Sequence, residues 1–120
     1  VLSLQALLGA YSDEGAQWLD ELRPVLADNI RYACDFIAAH FPGVQVMQPQ
    51  GTYMLFLDCA AWLQEHHMTL RELEERGARA GVIWQDGAAF AWPDSIRMNL
   101  ALPHSRLVEA LERLRVHAFC

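Results

Sequence analysis

Arg97 is the residue whose type and setting best suit it to chemistry. It lies in the run Ile96-Arg97-Met98-Asn99-Leu100-Ala101-Leu102. Alternation at period two marks a half-buried strand. Ile96, Met98, Leu100 and Leu102 then share one face, and Arg97, Asn99 and Ala101 the other. An arginine so placed has two readings. It is an exposed strand residue, the ordinary fate of arginine, or it is a clamp for a carboxylate. The planar guanidinium offers paired N–H donors and keeps its charge at any accessible pH. A strand aims such a group more firmly than a loop does. The residues alone leave both open.

The other candidates assemble no catalytic set. His66 and His67 are adjacent, so on a helix they diverge by roughly 100° and cannot chelate as an i,i+4 pair does. His40, His104 and His117 fall near expected helix ends, where capping or solvent accounts for them. The ligand spacing therefore gives no reason to expect a metal site. Cys34, Cys59 and Cys120 are odd in number and form no C-x-x-C pair. A reduced, cytoplasmic setting is the simplest account. Cys34 and Cys59 fit as small packed residues. There is no G-x-S-x-G elbow and no glycine-rich loop to cradle a phosphate. Trp18, Trp62, Trp84 and Trp92 are scattered, and packing explains each. Glu72, Glu74 and Glu75 read as a solvated helix face.

Composition narrows the function classes. The chain has 120 residues, the size of one domain, with 53% hydrophobic and 20% charged residues. That is globular composition and excludes a disordered chain. Fifteen acidic residues against nine basic ones give a net charge of −6. All nine basic residues are arginines, so a lysine Schiff base and a P-loop lysine are both impossible here. The acidic balance argues against nucleic acid as a partner. No segment approaches the roughly 20 apolar residues of a membrane span. Val1–Ala10 is apolar, lacks the charged start of a signal peptide, and reads as a helix whose packing partner lies upstream.

The elements that must position Arg97 follow from periodicity. Tyr11–Gly15 is a break with an acidic helix start. Leu19, Leu22, Leu26, Ile30, Ala33 and Ile37 recur at three- and four-residue steps, which predicts a helix to His40. Pro24 should kink or divide it. Pro42-Gly43 ends it. Strands are expected at Val44–Met47, Thr52–Asp58, Val82–Trp84 and Ile96–Leu102. The second is apolar on both faces and therefore central. Ala60–His67 is weakly helical. Thr69-Leu70-Arg71-Glu72 is a capping box, opening a helix to about Arg79 that stops at Gly81. A last helix runs from His104 to His117. This order predicts an α+β fold: an α/β sandwich with a small, open, mostly antiparallel sheet and helices on one face.

Three segments together resemble a family. Gly51–Asp58, Gly-Thr-Tyr-Met-Leu-Phe-Leu-Asp, is similar to a G-T-Y/F-aliphatic-W/F-aliphatic-D strand of class I/II aminotransferase-type, fold-type I pyridoxal-phosphate enzymes. Ile96–Pro103 is similar to their R-h-N-h-A strand. Gly15–Val44 resembles their long helix leading into the small domain, with a W-L-x-E-L start at Trp18 and an N-x-x-Y/F centre at Asn29. The branch it most resembles is that of the cystathionine β-lyase-type C–S lyases (MalY/PatB-like). The resemblance runs from about Leu4 to Phe119.

The resemblance implies a carboxyl-terminal small domain over residues 13–120. Residues 1–12 would be a remnant of an upstream large domain. That large domain would carry the catalytic lysine and bind pyridoxal 5′-phosphate, leaving no catalytic and no cofactor-binding residue in this chain. Arg97 would hold the α-carboxylate of a small amino-acid substrate, Asn99 would be structural, and Phe90 would lie at the cleft mouth. The implied reaction is β-elimination to a thiol, pyruvate and ammonia, in a cytoplasmic homodimer. Transamination, or a non-catalytic domain binding a small ligand or a partner, are the alternatives. The loop Ala88–Asp94 departs from the family's glycine-rich form, which bears on the cleft edge.

Overall fold

The structure is a computed structural model describing all residues, 1–120. Helix α1 spans Leu2–Ala10 and α2 Asp13–His40. Strands β1 (Gln45–Val46) and β2 (Met54–Asp58) follow, then α3 (Ala60–Glu65) and α4 (Leu70–Arg79). Strand β3 (Gln85–Asp86) leads into a 3₁₀ turn over Gly87–Phe90, then β4 (Ser95–Asn99) and α5 (His104–His117). The sheet order is β1-β2-β4-β3, and every pairing is antiparallel. This is the α+β sandwich that the element order predicts, with β2 central.

Burial explains the layers. Leu55 and Leu57 of β2 and Ile96 and Met98 of β4 point to one face and are buried. Leu107, Leu111 and Leu114, spaced by four and three, pack the inner stripe of α5. Each contributes roughly 1.5–3 kcal/mol by leaving water. Ile30, Ala33, Phe36 and Ile37 do the same for α2. Phe119 closes the end, stacked on Phe41 at 4.3 Å between ring centroids.

All the buried residues of α2 lie in its second half, and α1 buries none. The chain is accordingly elongated, with extents of 52 × 27 × 26 Å. Its radius of gyration is 16.6 Å, against about 14 Å for a compact chain of this length. Leu4, Leu7, Leu8, Trp18 and Leu19 are left exposed.

The structure corrects several expectations. Pro24 does not divide α2, which is one continuous helix of 28 residues. Pro24 lies on the exposed side, where water can satisfy the carbonyl that its missing N–H leaves free. The third strand is not Val82–Trp84 but Gln85–Asp86. The Val82 amide still donates to Gly77 of α4, and Gly81 takes φ +80°. The chain therefore cannot join the sheet until it has crossed from the helix layer. Strand β2 starts at Met54, not Thr52, because Thr52 adopts φ +67°. Strand β4 stops at Asn99. The carbonyls of Leu100 and Leu102 accept from the Asn29 amide at 2.9 Å each, not from a neighbouring strand.

Candidate functional site

The outer face of the sheet carries Met54, Phe56 and Asp58 from β2 and Arg97 and Asn99 from β4. Register makes Phe56 the direct partner of Arg97 on one side, and Gln85 its partner on the other. Cross-strand partners lie about 4.5–5.5 Å apart at Cβ, so this triplet is set by the ladder itself. Arg97 Nη1 donates to Gln85 Oε1 at 2.5 Å.

The segment between β3 and β4 folds back over this face. Asp86 caps the 3₁₀ turn, its carboxylate accepting from the Ala88 amide at 2.7 Å. Gly87 is buried, and a Cβ there would lie 1.8 Å from Ser95 Oγ. Only glycine allows that approach of the loop to β4. The Ser95 hydroxyl donates to the Trp92 carbonyl at 2.7 Å. Ala91 and Asp94 both adopt φ +59°, a left-handed conformation unfavourable to a Cβ. The loop therefore reaches its shape with an alanine and an aspartate under strain.

That shape puts aromatic rings against the arginine. The guanidinium carbon stands 4.5 Å from the Phe90 ring centroid and 6.0 Å from that of Phe56. Cation–π attraction at such distances is worth about 0.5–1 kcal/mol or more. Phe90 meets Phe56 edge-on at 5.7 Å, and Trp92 stacks near-parallel to Phe56 at 5.9 Å. Beyond Phe56 opens a cleft of about 440 Å³, lined by Met47, Met54, Phe56, Trp92 and Asp58 among others. On the other side, Arg97, Gln85, Trp84, Ile83, Met54 and Asn99 line a shallower hollow of about 230 Å³.

Charge distinguishes Arg97 from most of its kind. Arg23, Arg31, Arg71, Arg106, Arg113 and Arg115 each meet a carboxylate three or four residues away. Arg97 meets none, and its one hydrogen-bond partner is a neutral amide. Its positive charge is half-buried and uncompensated, on a rigid strand. Such an arrangement attracts an anion of carboxylate size.

The remaining candidates lie apart from it. His66 stacks on Trp62 at 4.0 Å, and its Nδ1 contacts the Trp62 carbonyl at 2.8 Å. His104 Nδ1 donates to Asn29 Oδ1 at 3.0 Å. Burial, with Asp58 and Asp94 adding to it, pushes the Cys59 thiol up to about 12, so it is no nucleophile. No three His, Cys, Asp or Glu side chains converge as metal ligands. Phe90 stands beside Arg97. Gln85 and Trp92 join this face only through tertiary structure. Strand register alone brings Gln85 opposite Arg97.

The family model described as Aminotransferase class I and II matches residues 2–114. The protein MalY of Escherichia coli is 33% identical over 118 residues, covering 95% of this chain and 29% of its own length. The cystathionine beta-lyase of Corynebacterium glutamicum is 36% identical over 117 residues, with the same coverage of 95% and 29%. The solved structure of cystalysin from Treponema denticola, which contains a pyridoxal 5′-phosphate cofactor, superposes with a TM-score of 0.76 at 29% identity. It covers 89% of this chain and 27% of that one. The chain thus spans under a third of the length of these relatives.

Proposed function

The chain belongs to the aminotransferase class I and II family, and on that premise we propose that it is the small domain of a pyridoxal-phosphate-dependent C–S lyase of cystathionine β-lyase type. Residues 13–120 form that domain, and residues 1–12 come from the large domain. Arg97 binds the α-carboxylate of the amino-acid substrate. The observation that carries this role is the uncompensated guanidinium, seated on Phe90 and free of any carboxylate.

Pyridoxal phosphate is the cofactor of the solved relatives, and the residues of this chain do not fit it unaided. There is no lysine to anchor it, and the glycine turn beside Arg97, at Gly87, is closed against Ser95. The electron-sink chemistry of the cofactor therefore belongs to the large domain. This chain fixes the substrate's carboxylate, and with it the orientation of the Cα–H bond. The rings of Phe56, Phe90 and Trp92 exclude water on one side of that contact, where a charged pair gains strength. The exposed leucines of α1 face the large domain. The whole enzyme works as a cytoplasmic homodimer.

The test uses the full-length enzyme with L-cystathionine, measuring thiol, pyruvate and ammonia. Two charge-assisted hydrogen bonds at about 1.5–3 kcal/mol each make Arg97→Ala lower kcat/KM by about 100-fold or more, mostly through KM. Unchanged substrate dependence would remove Arg97 from the site. A keto-acid product with retention of the thioether would replace the lyase by an aminotransferase. The chain alone, having no lysine, releases no pyruvate.

A further inference from the structure

We propose that Gln85 is a positioning residue that holds the Arg97 guanidinium in place while leaving its charge and most of its donors free for the substrate. The inference rests on Arg97 being the carboxylate-binding group, and adds what keeps it open. Gln85 and Arg97 are direct partners across β3 and β4. The Gln85 amide oxygen accepts from Nη1. Guanidinium carries five N–H donors in a fixed fork, so one bond of this kind orients the plane and leaves four.

The identity of the partner matters more than its presence. Opposite an arginine on a neighbouring strand, a carboxylate is the stabilising choice. Six of the nine arginines of this chain do pair with Asp or Glu. A glutamate at position 85 would be isosteric with glutamine and would bind Nη1 more strongly. It would also neutralise the cation and take up the fork that a substrate carboxylate needs. Glutamine supplies the same reach with no charge. Phe90 supports one face of the guanidinium at 4.5 Å from its ring, so the amide at the edge and the ring at the face together fix position and plane. The hollow beside them is lined by Met54, Ile83, Trp84 and Asn99 and contains no acidic side chain.

The experiment compares Gln85→Glu, Gln85→Leu and Arg97→Ala in the full-length holoenzyme. The probes are S-ethyl-L-cysteine as substrate and its carboxamide, which lacks the carboxylate, as competitive inhibitor. Gln85→Glu is expected to raise KM by about tenfold or more, through Coulomb competition at the fork, with kcat within about threefold. Gln85→Leu, which loses the hold but adds no charge, raises KM by about three- to tenfold. The Ki of the carboxamide stays within about twofold in both, which a general disturbance of the fold would not allow. Gln85 is exposed on an edge strand, and if the glutamate variant fails to fold, the leucine variant carries the same comparison. If Arg97→Ala raises KM while both Gln85 variants leave it within twofold, the positioning role is overturned and the carboxylate site stands. If Arg97→Ala itself leaves KM unchanged, both fall.

Discussion

Asn29 ties the long helix to the strand that bears Arg97, and replacing it should cost more than any other polar change in the chain. It is 1% exposed. Its amide nitrogen donates to the carbonyls of Leu100 and Leu102 at 2.9 Å each, and its oxygen accepts from His104 at 3.0 Å. Asn29→Ala leaves the buried Leu100 carbonyl unpaired, at about 1–3 kcal/mol, and removes a second, less buried bond at about 0.5–1.5 kcal/mol. The expected loss is about 2–4 kcal/mol. With a urea m-value of about 1.5 kcal/mol/M, the midpoint falls by about 1–3 M at unchanged m, read by tryptophan fluorescence. Asn29→Asp keeps the shape and turns an acceptor toward two carbonyls. It should destabilise more than alanine at neutral pH. The introduced carboxyl, buried beside carbonyl oxygens, would have its pKa raised. The folded state then holds the proton more tightly than the unfolded state, so stability recovers as pH falls. A midpoint shift below about 0.3 M for Asn29→Ala, or an aspartate variant indifferent to pH, would refute this account of how α2 and β4 are joined.

Two further outcomes follow from local geometry. Ala91 pays a left-handed penalty of about 1–2 kcal/mol at φ 59° and ψ 26°, against about 0.5–1 kcal/mol of extra chain entropy for glycine. Ala91→Gly should therefore raise Tm by about 2–5 °C, and an unchanged or lower Tm would contradict the assigned strain. Glu72 accepts from the Thr69 amide and hydroxyl at 2.8 Å each, which holds its carboxyl below the ordinary range. A lowered carboxylate pKa stabilises the fold above the unfolded value, and that share is lost as pH falls through the folded one. Glu72→Gln keeps the reach of the capping box without the charge. The Tm gap between the two proteins should be widest near neutrality and should close on acidification, and a pH-independent gap would contradict the charge account.

Local rules carried much of the fold. The Thr69–Glu72 box, the end of α4 near Gly81 and the limits of α5 are all set by contacts within a few residues. They were legible because capping and period-two or 3.6-residue patterns depend only on near neighbours. The strand ends were less legible. Thr52 leaves the strand through its backbone conformation, and the carbonyls of Leu100 and Leu102 turn to Asn29, some 70 residues earlier, while the Leu100 amide keeps a last cross-strand bond to the Tyr53 carbonyl. Pro24 looked like a break, yet its exposed position in α2 lets the helix continue.

The same division runs through the site. That Arg97 lies on a strand face opposite the core follows from alternation in its own segment. That lysine chemistry is closed to this chain follows from composition alone. What surrounds the guanidinium belongs to tertiary structure. Strand order places Phe56 and Gln85 on either side of it, and the Gly87 contact with Ser95 brings Phe90 over its face. Residue types and spacings determine what each segment can become, because those preferences act over one or two turns. Which segments meet is decided by burying the leucines of α5 and Ile30, Ala33, Phe36 and Ile37 of α2 against one sheet, and that non-local burial left Arg97 with an amide and two rings for neighbours and no counter-charge.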